Sequence, residues 1–277
     1  MSKVYDCFNF YNEMDLLDLR LSELYDVVDH FVLVENTVTH IGNPKPLFYE
    51  ENKERYEKFS DKIIHVVIDD MVGKSRSEID LGSKDRCVDG LGSATNDDIV
   101  LYSDLDEIPF AHTIELAKEH CNHGFVTFKG RFYCYYLNGL RMEKDGTPKQ
   151  WWGTIGGKWG NIQSTGLGFN DLRNHRDKHP AFHVMENSSG HFSFIGDAKM
   201  IETKLRNWGH AVDLGRDFIA GVDDVEGKIQ SYIDEGKYLF KDEMVQYVPI
   251  DDKHFPSHVF NNQDKYSKLI RNEQCVM

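Results

Sequence analysis

The stretch Ile99-Val100-Leu101-Tyr102-Ser103-Asp104-Leu105-Asp106-Glu107-Ile108-Pro109 decides the fold. Its near-continuous apolar run predicts a strand that a parallel sheet buries on both faces, and Pro109 limits further strand pairing. The run delivers three carboxylates, at Asp104, Asp106 and Glu107, to the end of that strand. Because oxygen ligands suit Mg²⁺ and Mn²⁺, which bridge carboxylates to phosphates, the stretch predicts a metal-assisted diphosphate site.

The chain before this stretch alternates strand-like and helix-like segments. Apolar runs predict strands at 4–10, 29–35 and 62–70, and leucines at helical spacing predict a helix at 15–25. Further helices are expected at 52–59 and 83–91. Such alternation is typical of an α/β fold with a mostly parallel sheet, whose ligands bind at the carboxyl ends of the strands.

The chain after this stretch is less regular. Residues 124–140 are aromatic and β-like, residues 151–168 read as loops and short strands, and helices are expected at 198–208 and 223–235. The residues 1–277 are therefore interpreted as one domain. Its first part, at about 1–110, carries the predicted parallel sheet, a second part lies at about 111–250, and a tail lies at about 251–277.

Composition narrows the classes of partner. With 46 Asp and Glu against 32 Lys and Arg, the formal net charge is −14, which argues against binding nucleic acid. The same charge repels a nucleotide diphosphate unless a metal ion or local cations intervene. The five cysteines are scattered without a CxxC pair, and no apolar run resembles a signal peptide or a transmembrane segment. A cytoplasmic protein with reduced thiols is the expectation.

The hexapeptide Asp104-Leu105-Asp106-Glu107-Ile108-Pro109 resembles the D-x-D-E-I-P signature of glycosyltransferase family 17. The likeness continues in scattered blocks over roughly residues 4–240, particularly with short microbial and viral-type members. Those blocks are Asp6-Cys7-Phe8-Asn9-Phe10-Tyr11-Asn12-Glu13-Met14-Asp15-Leu16-Leu17, Phe31-Val32-Leu33-Val34-Glu35, Tyr135-Tyr136-Leu137-Asn138, Gly190-His191-Phe192-Ser193-Phe194 and Lys204-Leu205. Ser189 stands before Gly190-His191 where the family usually has Gly-Trp-His.

This resemblance implies a GT-A fold with a C-terminal helical extension, in which about 1–110 is the nucleotide-binding half and about 111–250 is the acceptor-side half. It also implies an inverting glycosyltransferase that moves N-acetylglucosamine from UDP-N-acetylglucosamine to a glycan acceptor. Mn²⁺ or Mg²⁺ would be held by Asp104 and Asp106, with Asp104 also contacting the donor. His191 matches the late histidine that many GT-A enzymes place on the metal, and imidazole suits Mn²⁺ better than Mg²⁺.

Several residues near strand ends are candidate donor contacts. Phe8, Asn9, Asn12 and Glu13 follow or end the first strand, where uracil and ribose would lie, although Asn12 is equally suited to cap a helix. Arg20 and Arg86 are candidates for the diphosphate or for ordinary ion pairs with nearby acids. Glu35 ends the second strand and begins a polar set that contacts the nucleotide or turns the chain.

Inversion needs a carboxylate that deprotonates the acceptor hydroxyl. Asp171 precedes a predicted helix and is the first candidate, with helix capping as its rival; Glu107 is the second, and Asp217 and Asp223 stay open.

Two sets of ring-bearing residues have alternative interpretations. The indoles of Trp151, Trp152 and Trp159 stack on sugars or pack in the core. Histidines 175, 179 and 183 are spaced by four, as in a zinc site on a helix, but Pro180 argues against a continuous helix.

Two other functions fit an acidic cluster at a strand end. One is a catalytically silent protein that binds sugar nucleotides or glycans. The other is a metal-dependent phosphohydrolase that cleaves nucleotide diphosphates without an acceptor.

Overall fold

The computed structural model describes residues 2–207 and 210–272. Within these residues ten strands form one sheet. The strands are β1 (Val4–Phe10), β2 (His30–Asn36), β3 (Ile63–Ile68), β4 (Ile99–Asp104), β5 (Glu107–Pro109), β6 (Phe125–Tyr135), β7 (Gly139–Met142), β8 (Gln150–Lys158), β9 (Phe182–Ile195) and β10 (Met244–Tyr247).

Helices connect and cover these strands. The α-helices are α1 (Met14–Leu24), α2 (Phe48–Glu51), α3 (Arg76–Asp85), α4 (Ile114–Cys121), α5 (Trp159–Ser164), α6 (Phe169–Arg173), α7 (Ala198–Asn207), α8 (Arg216–Ile219), α9 (Val225–Asp234) and α10 (Ser257–Asn261). Short 3₁₀ segments occupy Lys53–Phe59, Arg86–Gly90, Ala111–Thr113 and Ser267–Leu269, and Ala211–Gly215 is a π-helical turn. No helix in the described part of the chain is long and apolar enough to cross a bilayer.

The predicted parallel sheet is present in the order β3-β2-β1-β4. Each neighbouring pair in this set is parallel, and β1 lies between β2 and β4. β4 is buried along its apolar residues because helices and loops cover both faces of the sheet. The α/β fold class is confirmed, and the parallel strands bring the carboxyl ends of β1, β2 and β4 to one edge.

The second half of the sheet is mixed. β8 pairs antiparallel with β4 and β6, and the long β9 pairs parallel with β6 and antiparallel with β5. The C-terminal helical extension packs its apolar side chains, such as Ile201, Leu205 and Ile229, against Phe132 and Phe194 of this half. The extension thereby brings α7 against the strands that carry the site.

Several predicted elements differ from the structure. Residues 151–168 were expected to be loops and short strands but contain most of the nine-residue β8 and all of α5. Gly156 and Gly157 belong to β8 because Leu101 and Phe125 pack closely against the strand there. The helix predicted at 83–91 begins earlier, at a capping box between Ser75 and Glu78. The segment 52–59 is largely 3₁₀. Trp208, in the helix predicted at 198–208, and Cys275 lie outside the described residues.

Candidate functional site

A cavity of about 520 Å³ opens at the carboxyl ends of the parallel strands. β1 contributes Asn9 to its wall, β2 contributes Asn36, and β4 contributes Asp104. Thr39 and His40, which follow β2, also line it. This is the edge at which α/β sheets bind their ligands, so the location agrees with the prediction from the strand order.

The Asp-x-Asp triplet forms a tight turn between β4 and β5. Asp104 ends β4, and Asp106 lies in the turn that precedes β5. From below, the buried Arg20 guanidinium donates hydrogen bonds to the carbonyl oxygens of Asp104, Leu105 and Glu107, at 2.9–3.1 Å. These bonds fix the turn, so that both aspartate side chains face the cavity.

Pairing between β5 and β9 brings His191 to the turn. His191 lies opposite Glu107 in the antiparallel register, and the backbone N–H of Phe192 donates to the carbonyl oxygen of Asp106 at 2.7 Å. His191 Nε2 is 3.4 Å from Asp106 Oδ1. The indole of Trp151 stacks on the imidazole with ring centroids 4.5 Å apart, which fixes the orientation of the His191 ring.

Asp106 is held between two groups that are cationic when protonated. Lys204 Nζ, on α7, lies 3.1 Å from Asp106 Oδ2 and 3.2 Å from Glu13 Oε1. Burial by itself would raise the pKa of Asp106, but Lys204 and His191 lower the pKa far below its ordinary value. The pKa of Lys204 is raised although burial opposes this, because the carboxylates of Asp106 and Glu13 stabilise its charge.

Asp104 is paired with a different cation. Arg173 Nη2, on α6, lies 2.8 Å from Asp104 Oδ2, and the same nitrogen contacts Glu107 Oε1 closely. Burial raises the pKa of Asp104, but Arg173 and Lys84 outweigh it and bring the pKa to about 2. Trp151 Nε1 donates to Glu107 Oε1 at 2.6 Å. The buried Glu107 thus anchors Arg173 and Trp151 beside the cavity.

The cavity wall carries more positive than negative side chains, although the whole chain has a formal charge of −14. Its six Lys and Arg residues are Lys45, Arg76, Lys84, Arg173, Arg176 and Lys204. Its four carboxylates are Glu13, Asp80, Asp104 and Asp106. A local excess of cations in an acidic protein is what an anionic ligand requires.

The ion pairs of Asp104 and Asp106 affect whether these residues can bind the predicted metal ion. Among residues 2–207 and 210–272, no group of three or more His, Cys, Asp or Glu side chains is arranged to hold a metal ion. Asp104 is turned to Arg173, and Asp106 is bonded to Lys204 as well as to His191. As arranged, these side chains do not fit a metal ion, because Arg173 contacts the carboxylate of Asp104 and Lys204 contacts that of Asp106.

The model of Glycosyltransferase family 17 matches residues 1–276. The chain belongs to this family. This match confirms the resemblance seen in the sequence.

Named relatives in sequence match one part of the chain. The beta-1,4-mannosyl-glycoprotein 4-beta-N-acetylglucosaminyltransferases of Rattus norvegicus and Homo sapiens are each 34% identical over 116 residues. The aligned part is 39% of this chain and 22% of each relative, so the match spans about a fifth of the relatives' length. Among solved structures, the Francisella tularensis 2-C-methyl-D-erythritol 4-phosphate cytidylyltransferase aligns with a TM-score of 0.40 and 14% identity. That alignment covers 67% of this chain and 90% of the other.

Five of the site residues predicted for this family 17 chain line the cavity together: Asn9, Glu13, Asp104, Asp106 and His191. Asn9 is engaged in structure as well, since it donates to the Ser83 carbonyl oxygen and accepts from the Tyr102 hydroxyl. The other predicted residues lie outside the wall: Phe8, Asn12, Arg20, Glu35, Arg86, Asp171 and Glu107.

Burial accounts for three of these exclusions. Phe8, Arg20 and Glu35 have no exposed surface. Arg20 packs over the Phe8 ring beneath the turn, and Glu35 accepts hydrogen bonds from the Tyr49 backbone N–H and from Lys45. None of the three is placed to contact a ligand, so the donor contacts predicted for Phe8 and Glu35 are not observed. For Arg20 the alternative of an ion pair is the one observed, with Asp6 as its partner.

Arg86 and Asn12 do not line the cavity. Arg86 forms ion pairs with Asp70 and Asp89 instead of facing the cavity. Asn12 lies just before α1, whose first turn has no side-chain cap. The capping alternative for Asn12 is therefore not observed either.

Neither predicted base is free at the cavity. Glu107 is only 1% exposed and is bound to Arg173 and Trp151. Asp171 is exposed on α6 and lines no cavity, because the side chain that this short helix turns inward is Arg173. The zinc alternative also fails, since α6 ends at Arg173 and His183 lies on β9, stacked on His120.

Sequence reasoning missed the cations of the site. Arg173, Lys204, Lys84 and Arg76 all line the cavity, yet none was proposed as a contact. Lys204 lies in one of the blocks that resemble the family, which was the available signal. Arg173 had none, because its partner Asp104 is far away in sequence.

Proposed function

We propose that the cavity binds a sugar nucleotide, with UDP-N-acetylglucosamine as donor, and that the enzyme transfers the sugar to a glycan acceptor with inversion. The observation that carries this proposal is the cluster of cations around Asp104 and Asp106 in an acidic protein. The choice of donor follows from the activity in the names of the family 17 relatives.

In this proposal Lys204 and Arg173 contact the diphosphate. Their carboxylate partners hold both cations at the end of β4, where they meet the leaving group without further rearrangement. The bond between the anomeric carbon and the diphosphate oxygen breaks, and its electron pair stays on the diphosphate. The acceptor oxygen bonds to the opposite face of that carbon and loses its proton to a carboxylate.

Metal dependence stays a prediction from the resemblance. The residues predicted to hold Mn²⁺ or Mg²⁺ are Asp104, Asp106 and His191, and the ion would stabilise charge on the departing diphosphate.

The test compares Lys204→Met with Lys199→Met, which removes an exposed lysine from the same helix. Binding of UDP-N-acetylglucosamine, GDP-mannose and dTDP-glucose is measured by calorimetry with and without Mn²⁺, and products are identified after incubation with glycan acceptors. Lys204→Met should weaken donor binding about 10- to 100-fold, the value of a hydrogen bond to a charged group. Failure of every donor to bind the wild type, or equal binding by both variants, would contradict the proposal.

A further inference from the structure

A second cavity, of about 310 Å³, adjoins the first. Its walls are Trp151, Trp152, Arg173, Asn174, Arg176, Asp177 and Lys178. Four of these also line the main cavity, namely Trp151, Arg173, Asn174 and Arg176. The two cavities therefore share a wall, and a ligand in one lies next to a ligand in the other.

The sheet places the second cavity on a definite side of Asp104. β4 has β1 on one side and β8 on the other. Asn9 of β1 and Asn36 of β2 therefore line the main cavity on one side of Asp104, and Trp151 of β8 lines it on the other. Tyr102 pairs with Ile155 in the antiparallel register of β4 and β8. Trp151 and Trp152 precede Ile155, so they extend past the carboxyl end of β4. The second cavity thus begins beyond the Asp104–Arg173 pair.

Contacts within the protein hold the walls of this cavity in place without a ligand. Arg176 Nε donates to the Trp152 carbonyl oxygen at 2.7 Å, which ties the turn after α6 to β8. Lys129 Nζ lies 4.9 Å from the centroid of the Trp152 ring. The half-buried indole of Trp152 is therefore a fixed aromatic wall.

Asp177 differs from the other carboxylates of the two cavities. Glu13, Asp80, Asp104 and Asp106 each form an ion pair with a lysine or arginine. Within the described residues, Asp177 forms neither an ion pair nor a hydrogen bond. A carboxylate accepts hydrogen bonds only, and hydroxyl groups are the donors that a neutral sugar offers.

We propose that the second cavity is the acceptor subsite and binds a neutral pyranose. One face of the sugar packs on Trp152, and its hydroxyls donate to Asp177 and bond with Asn174. The shared wall at Arg173 places this sugar beside the donor. This assignment rests on the proposed function, since it needs a sugar nucleotide in the main cavity.

The experiment measures binding of simple sugars by saturation-transfer NMR in the presence of UDP. The probes are the methyl glycosides of mannose, galactose, glucose and N-acetylglucosamine, with mannose 6-phosphate as a charged comparison. The variants are Trp152→Ala, Trp152→Phe and Asp177→Asn, and Asp252→Asn replaces an exposed aspartate that lines neither cavity. Affinity for UDP is measured on every variant by calorimetry.

At least one neutral glycoside should bind the wild type. Trp152→Ala should weaken that binding about 3- to 10-fold, the range expected for an aromatic contact, while Trp152→Phe should restore most of it. Asp177→Asn should also weaken it, Asp252→Asn should not, and affinity for UDP should stay unchanged throughout.

Three results would overturn the assignment: no neutral glycoside binds while UDP does, only the sugar phosphate binds, or Trp152→Ala weakens UDP as much as the sugar. If the wild type binds no UDP at all, the proposed donor site fails, and that outcome is separate from the other three.

Discussion

Arg20 and Asp6 form an ion pair in which neither side chain has any exposed surface, with Arg20 Nη2 2.7 Å from Asp6 Oδ1. The same Nη2 also donates to Ser103 Oγ, and Nη1 donates to the carbonyl oxygens of the Asp-x-Asp turn. Arg20 therefore supports the site from behind without contacting it. Its substitution should act on stability.

Arg20→Met should lower the free energy of unfolding by about 3–5 kcal/mol, because Asp6 would stay buried without a partner. Urea denaturation measures the loss. Arg206→Met, which breaks an exposed pair with Glu202, is the control and should cost less than about 1 kcal/mol. Equal effects of the two substitutions would show that the buried pair is not what holds the turn.

Glu107→Gln should destabilise the protein by about 1–3 kcal/mol, because the buried Arg173 loses one of its two carboxylate partners. Thermal unfolding is measured beside Glu115→Gln, an exposed control. A general base would behave differently. If Glu107→Gln keeps the wild-type melting temperature but loses turnover, with a shifted pH profile, Glu107 is catalytic after all.

The pH dependence of stability follows from the pKa of Asp104, which its cations lower to about 2. The unfolded chain takes up this proton first, at its ordinary pKa of about 3.9, so the stabilisation is full above that pH. It should be lost between about pH 4 and about pH 2. The loss is measured as the difference in urea midpoint between the wild type and Asp104→Asn, determined at a series of pH values. A difference that instead changes near neutral pH would show that the Asp104 pKa is not depressed.

Binding of Mn²⁺ without nucleotide should be weak, because Lys204 and His191 already contact Asp106. Lys204→Met removes the competing charge and should therefore tighten Mn²⁺ binding, as measured by electron paramagnetic resonance titration. Lys199→Met should leave the affinity unchanged. If Lys204→Met weakens Mn²⁺ binding or leaves it unaltered, Lys204 does not compete with the ion for Asp106.

Gly130→Ala should disrupt the pairing of β6 with β9, because the new Cβ would lie 1.6 Å from the Ser189 carbonyl oxygen. Overpacking of this kind costs about 1–3 kcal/mol or more, and backbone cannot yield as a side chain does. Donor binding should fall too, since β9 carries His191. Gly92→Ala, with open space around it, is the control in the same denaturation assay. Equal stability of the two variants would contradict the close approach of these strands.

The sequence alone was sufficient to predict the parallel half of the sheet and the position of the Asp-x-Asp turn. Strands such as β1 and β4 are apolar runs whose signal lies within a few neighbouring residues, and Asp104 and Asp106 follow β4 directly. The signature around them was enough to identify the family. The sequence predicted only loops and short strands where the long β8 lies, because glycines, which are usually read as loop residues, here allow close packing against Leu101 and Phe125.

Only the tertiary structure decided which cations serve the site. Lys204 is 98 residues from Asp106 in sequence, and it reaches that carboxylate because β9 pairs with β5 and α7 follows β9. The chain has 32 lysines and arginines, and no local sequence feature distinguishes those that line the cavity from those on the surface. For the same reason the sequence did not show that Arg20 lies beneath the turn, or that Arg173 lies in the cavity wall. A strand is specified by its own residues, whereas an ion pair depends on where two distant elements pack.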